Sequence, residues 1–207
     1  MIKLVVFDLD GVLVKEDSIW DTIHSRLGFK EECERYKQMF YSGKISYREW
    51  AELDVALWRD IPYSVIKRIA DSVPYMKGAK ETVNILRKNY QIGVISSGLT
   101  VLSERVKKEL KLDFAIANQL IVENDRILGV KVNCGVFDKP LVLENIVKER
   151  DLRLEEIAAV GDHLNDIGLF EKVGLSVAFN TKREELIESA DFHVPGDDLR
   201  EILRFFR

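Results

Sequence analysis

Short, uninterrupted apolar runs separated by helix-length amphipathic segments set the hydrophobic pattern of this chain. The runs are Leu4-Val5-Val6-Phe7, Gln91-Ile92-Gly93-Val94-Ile95, Ala158-Ala159-Val160 and Leu175-Ser176-Val177-Ala178-Phe179. Their β-branched content and lack of polar alternation predict strands covered on both faces. Between them, residues 79–88, 102–110 and 141–150 carry helical spacing. Strands alternating with helices of that length predict a doubly wound, mostly parallel α/β sheet of the Rossmann-like kind. Phe192-His193-Val194 reads as a short edge strand, and residues 120–132 as a hairpin turning at Asn124-Asp125.

Residues 14–76 break this pattern. They contain no buried-strand run and read as several amphipathic helices. Trp20, Ile23 and Leu27 fall at helical spacing, as do Trp50, Leu53 and Leu57, and Ile66, Ile69 and Val73. Gly43 and Pro62 interrupt the helices. The expected organisation is an α/β core of residues 1–13 and 77–207, with a small helical cap, 14–76, inserted after the first strand. Aromatic residues are abundant there (Trp20, Phe40, Tyr41, Tyr47, Trp50, Trp58), and at helical spacing most are expected in the core, with one or two lining a pocket.

Composition narrows the function classes. The chain has 207 residues, 46% of them hydrophobic and 32% charged, as in a soluble globular protein. A net charge of −4 gives no basic excess for a phosphate backbone, so no nucleic-acid partner is expected. The lysines of Lys107-Lys108-Glu109-Leu110-Lys111 read as the solvated face of a helix. Cys33 and Cys134 stand far apart with no neighbouring cysteine, which suggests reduced thiols in a cytoplasmic protein. The apolar run at the start is too short for a signal sequence or a membrane span, and a monomer or weak homodimer is expected.

The candidate chemistry sits at strand ends, where open α/β sheets build their sites. Asp8-Leu9-Asp10-Gly11 follows the first strand. A carboxylate is already ionised at neutral pH and can act as a nucleophile once its repulsion from a phosphate dianion is relieved. The acyl phosphate so formed is open to attack by water. Asp10 could protonate the leaving oxygen and then deprotonate that water. Ser96-Ser97-Gly98 follows the second strand and offers a hydroxyl beside free amides, although the same residues would serve as an ordinary helix cap. Lys139 precedes Pro140 at a helix start, where the macrodipole disfavours a cation; a phosphate and the Asp8 carboxylate would account for it. Asp162 and Asp166, in Gly161-Asp162-His163-Leu164-Asn165-Asp166, add two carboxylates at a third strand end. Such an oxygen-rich set suits magnesium and leaves His163 outside the ligand set.

In this order, each at a strand end, the four segments resemble the four motifs of the haloacid-dehalogenase superfamily, and are most similar to its phosphoserine phosphatase group. Glu16-Asp17-Ser18-Ile19, Leu120-Ile121-Val122 and Asp198-Leu199-Arg200-Glu201-Ile202-Leu203 also look like that group. The resemblance implies a Mg2+-dependent phosphatase acting on a small phosphorylated metabolite. Asp8 would be nucleophile and metal ligand, and Asp10 general acid/base, binding the metal through its carbonyl. Ser96, Ser97, Lys139 and Asn165 would hold the phosphoryl group. Asp162 would ligate the metal and Asp166 support it, and Asp17 would meet a substrate amino group.

Two departures from the group stand out. Gly11-Val12 replaces its Ser-Thr pair, and Asp54-Val55 falls where the group carries an arginine that binds the substrate carboxylate. An anion there would repel a carboxylate, so a neutral or cationic ester is the expected substrate class. Phosphoserine, a phosphotransferase or mutase reaction, and a non-catalytic phosphate sensor are the alternatives.

Overall fold

The computed structural model describes residues 1–206. A single sheet of seven strands forms its centre: β1 (Leu4–Phe7), β2 (Gln91–Leu99), β3 (Phe114–Glu123), β4 (Arg126–Lys131), β5 (Ile157–Gly161), β6 (Leu175–Phe179) and β7 (Phe192–Val194). Their order is β4-β3-β2-β1-β5-β6-β7, with every pairing parallel except β3 with β4. The first strand is therefore central, and the chain winds outward from it in both directions. Alternate residues of β1 feed two separate cores. Val5 and Phe7 pack with Ile92, Val94 and Val160 on one face, while Leu4 and Val6 pack with Ile95, Ile157 and Leu143 on the other. Burial on both faces explains the absence of polar alternation in these runs.

The fifth strand exceeds its expected run by one residue at each end, and two others extend further. The second strand continues through Ser96-Ser97-Gly98 to Leu99, with a register shift after Ile95. The third begins at Phe114, six residues before the expected hairpin, and pairs parallel with β2 before turning into its antiparallel pairing with β4. Gly93 permits this pairing, because a Cβ there would overlap the Phe114 ring. The hairpin turns at Asn124 and Asp125, both with positive φ (49° and 64°), the backbone that a two-residue turn matched to strand twist requires.

Five helices lie between β1 and β2, and the first four fall within residues 14–76: α1 (Ile19–Leu27), α2 (Lys30–Tyr41), α3 (Tyr47–Ala56) and α4 (Tyr63–Asp71). Ser18 caps α1, and Ser46 with Glu49 forms a capping box at α3. Pro62 precedes α4, and Gly43 (φ 73°) lies between α2 and α3. The stripe on α3 differs from the expected one: Ala51, Asp54 and Val55 are buried, whereas Trp50 and Leu53 are half-buried. This helical segment is tied to the sheet at several points. Tyr63 and Ser64 amides donate to Asp125 in the hairpin turn, and Arg105 donates to the carbonyls of Ala70, Asp71 and Val73. Further helices are α5 (Ala79–Leu86), α6 (Thr100–Leu110), α7 (Lys139–Glu149), α8 (Ile167–Phe170) and α9 (Glu184–Ser189). Among the described residues, no helix is long and apolar enough to cross a membrane.

Candidate active site

The carboxyl ends of β1, β2, β5 and β6 open into one cavity of ≈ 680 Å³, lined by Asp8, Asp10, Asp17, Ser96, Ser97, Asp162, His163 and Asn165 among others. The amide of Asp8 donates to the Val160 carbonyl (2.9 Å), so sheet pairing carries one residue past β1 and fixes the Asp8 backbone. Its Oδ1 accepts from the Leu9 amide at 2.6 Å. Its Oδ2 lies 2.6 Å from Lys139 Nζ. The same ammonium lies 2.6 Å from Asp166 Oδ1. Lys139 is fully buried at the start of α7, bridging two carboxylates. Asp166 is fully buried too; its second oxygen accepts from the Asp162 and His163 amides at 3.2 Å each. The lysine that is anomalous at a helix start is thus explained by its partners.

Glycines shape the floor. Gly11 has φ +73°, and a Cβ there would overlap the Asp162 carboxylate. Gly161 likewise leaves no room beside the Asp166 carboxylate. At Gly98 an added Cβ would stand 2.8 Å from Asp10 Oδ2, and its amide donates to Ser96 Oγ at 2.9 Å.

The electrostatics follow from burial. Desolvation pushes the Asp8 carboxyl up to about 6, against the opposing pull of Lys139. Burial, then the Asp8 charge, hold Asp10 well above the usual carboxylate range. Burial, then Asp8 and Asp166, do the same to Asp162. Burial alone would lower Lys139, but Asp166 and Asp8 outweigh it and hold the ammonium charged. His163 is lowered by burial and by Arg183. Ligand oxygens of Asp8, Asp162 and Asp166 all lie within 4.8 Å of one another, with Lys139 the cation between Asp8 and Asp166. An all-oxygen set with this excess of negative charge fits a hard divalent cation. Asp10 Oδ1 and Asn165 Oδ1 are buried without hydrogen-bond partners, polar atoms left for a ligand.

The residues given a catalytic, metal-binding or substrate-binding role from the sequence lie at this site, whereas Asp54 does not line it. Asp8, Asp10, Ser96, Ser97, Asn165 and Asp162 line the cavity, Asp17 stands at its exposed rim, and Lys139 and Asp166 are buried against Asp8. The aromatic expectation needs correction: Trp20, Tyr41, Tyr47 and Trp50 all line the cavity, and Trp58 is the fully buried one. Trp20 Nε1 (3.0 Å), Tyr47 Oη (2.9 Å) and Asn118 Nδ2 (2.8 Å) all donate to the Ser97 carbonyl. Sequence reasoning missed Asn118, which is fully buried in β3 and also accepts from the Asn133 and Cys134 amides. Its signal was an asparagine inside a strand, where that residue is depleted. Also missed were Asn180, Thr181, Lys182 and Arg183, which follow β6 and line the cavity. The strand-end rule that found the other segments applies equally to them.

A family model for haloacid dehalogenase-like hydrolases matches residues 5–171, and the chain belongs to that family. Within it, the relatives place the chain with the phosphoserine phosphatase group. A phosphoserine phosphatase of Methanocaldococcus jannaschii is 34% identical over 99% of this chain and 98% of its own length. A solved structure described as a phospho-aspartyl intermediate analogue of phosphoserine phosphatase superposes with a TM-score of 0.85 at 33% identity, covering 100% of this chain and 99% of that one. A substrate-bound phosphoserine phosphatase complex gives the same TM-score, 0.85, at 32% identity, covering 100% and 99%. The chain is a phosphatase of this family.

Proposed function

We propose that this phosphatase hydrolyses the phosphomonoester of a small metabolite through an aspartyl phosphate on Asp8, with magnesium as its cation. The observation that carries the reading is the Lys139 ammonium, buried 2.6 Å from both Asp8 and Asp166 at the cavity that Asp10 lines. Asp8 and Asp162 would hold magnesium, with the Asp10 carbonyl as a further ligand and Asp166 behind them. When bound, the ion offsets the repulsion between the Asp8 carboxylate and a phosphate dianion.

The remaining chemistry belongs to the chain's own side chains. Asp8 Oδ attacks phosphorus as the ester P–O bond breaks, and Asp10, kept protonated by its surroundings, gives its proton to the departing alkoxide. A water then loses its proton to Asp10 and attacks phosphorus. The P–O bond to Asp8 breaks, and inorganic phosphate leaves. Ser96, Ser97, Asn165 and Lys139 would hold the phosphoryl oxygens during both steps. Residues 14–76 would act as the cap, held over the site by the Trp20 and Tyr47 hydrogen bonds to the Ser97 carbonyl and excluding water.

The preference for a neutral or cationic ester assumed that Asp54 faces the substrate. Asp54 is instead buried 3.4 Å from His24 Nε2, and is not among the lining residues of the cavity. Lys37, Lys182 and Arg183 do line it. They supply cations for a substrate carboxylate, and Asp17 on the same lining supplies an anion for an ammonium. Phosphoserine, the substrate in the names of the relatives, is therefore the first ester to try.

Phosphate release from phosphoserine, neutral sugar phosphates and phosphocholine, with and without magnesium, tests the reading. Magnesium-dependent turnover favouring phosphoserine is the expected result. Preference for phosphocholine would restore the cationic class. Turnover of no ester would favour the sensor alternative, and phosphoryl transfer to added alcohols in place of water would favour a phosphotransferase.

A further inference from the structure

The helical segment buries a second set of donor atoms that phosphoryl chemistry does not use. His24 on α1, Cys33 on α2 and Asp54 on α3 bring one ligand atom each to within 4.8 Å of one another. All three residues are buried, with His24 1% and Asp54 2% exposed. Yet both ring nitrogens of His24 and Oδ1 of Asp54 have no hydrogen-bond partner. The imidazole and carboxylate stand 3.4 Å apart without the alignment of a hydrogen bond. Buried polar atoms left unpaired are costly and uncommon, so an arrangement that orphans three of them in one spot points to a partner.

The spacing indicates which partner. On one tetrahedral zinc ion, with bonds of about 2.0–2.1 Å to nitrogen or oxygen and about 2.3 Å to sulfur, neighbouring donors stand about 3.3–3.6 Å apart. His24 Nε2 to Asp54 Oδ1 is 3.4 Å, within this range, and Cys33 Sγ donates a hydrogen bond to Asp21 Oδ1 at 3.5 Å. An imidazole, a thiol and a carboxylate together form a donor set for a borderline transition metal, unlike the all-oxygen set at the strand ends. His24, Cys33 and Asp21 also line a cleft of ≈ 530 Å³, which gives an ion a route in. Asp21 is half-exposed and lines the catalytic cavity as well.

We propose that His24, Cys33 and Asp54 bind a zinc-class ion, that the half-exposed Asp21 side chain, outside this cluster, turns in to close the fourth position, and that this ion staples α1, α2 and α3 of the helical segment. The ring of Trp58, centred 5.0 Å from that of His24, packs beside the site and excludes water from that side. Because Asp21 touches both cavities, binding at the staple also sets the position of one wall of the catalytic cavity.

The test is titration of the purified chain with Co2+ and Zn2+ in excess magnesium. The expected result is one equivalent of Co2+ with a thiolate-to-cobalt charge-transfer band, displaced by Zn2+. Cys33→Ser should abolish the band, and Asp54→Asn should weaken binding at least as much as the ~10–100-fold that losing an outer-shell partner costs. Cys134→Ser should leave the band intact, and so should Asp162→Asn, which impairs the strand-end site. Magnesium-supported activity of Cys33→Ser, an isosteric change, reports that the variant has folded. Cobalt bound without a thiolate band, a band lost in Cys134→Ser, or binding abolished by Asp162→Asn would each overturn the proposal.

Discussion

Among the described residues, two clusters of buried ionisable side chains, one at the strand ends and one among α1, α2 and α3, differ in how completely their atoms are paired. At the strand ends, Lys139 lies within 2.6 Å of both Asp8 and Asp166, and the remaining oxygens of those carboxylates accept backbone amides. The helical cluster has no lysine or arginine among its three members, and both imidazole nitrogens and one carboxylate oxygen stay unpaired. Each strand sets the loop after it in place, and the loop amides of Leu9, Asp162 and His163 are thereby directed at the carboxylates. Three helices converging on a point supply side chains but no free backbone donors, since their amides are used internally. The Lys139–Asp8–Asp166 triad is paired before any ligand arrives, with Asp10 Oδ1 and Asn165 Oδ1 beside it left open, whereas the second cluster is unpaired at its centre.

The difference predicts opposite responses to mutation. Lys139→Ala leaves Asp8 and Asp166 buried together without their cation, and removing one partner of a buried pair costs about 3–5 kcal/mol. Denaturant unfolding should show that loss, and phosphate release should fall by at least the ~10²–10³-fold expected when one positioned charge is removed from a reacting centre. Asn118→Ala comes next: it strands the Cys134 and Asn133 amides, a cost of about 1–3 kcal/mol, with a rise in KM if the Ser97 carbonyl moves. Tyr47→Phe removes one of three donors to that carbonyl, for about 1 kcal/mol and a few-fold change in KM with kcat nearly kept.

The smallest effect is expected at the helical cluster in metal-free protein. Replacing His24 by Phe and Asp54 by Leu together removes two orphaned groups, so stability should stay within about 1 kcal/mol or rise. The same double variant should lose any stabilisation that zinc gives the parent. A cost comparable to Lys139→Ala would mean that the His24–Asp54 contact is a satisfied ion pair, and the contrast between the clusters would fail.

What the sequence made legible follows from the same contrast. Leu4–Phe7 and Leu175–Phe179 match their apolar runs residue for residue, because strands covered on both faces leave an unbroken pattern, and Phe192–Val194 matches as the short, partly exposed edge strand. Asp8, Asp10, Asp162 and Asp166 were readable because a strand end fixes where a following side chain points. Phe114–Gln119 was not, since Phe114-Ala115-Ile116-Ala117 resembles a helix continuation until its pairing with Gly93–Ile95 is seen. The direction of Asp54 was equally hidden. One residue of rotation on α3 separates facing a substrate from facing His24, and periodicity located the buried stripe one position away. Gly11 gains its reason only in three dimensions, from the Asp162 carboxylate that occupies the space of its missing Cβ.

The central claim is the covalent step on Asp8, and the most direct measurement is detection of the phosphoryl group on that side chain. Rapid acid quench of the enzyme with labelled phosphoserine and magnesium, followed by peptide mapping, should find an acyl phosphate on Asp8. The label should be released by hydroxylamine and be absent from Asp8→Asn. Turnover with no label at Asp8, or label that persists in Asp8→Asn, would contradict it.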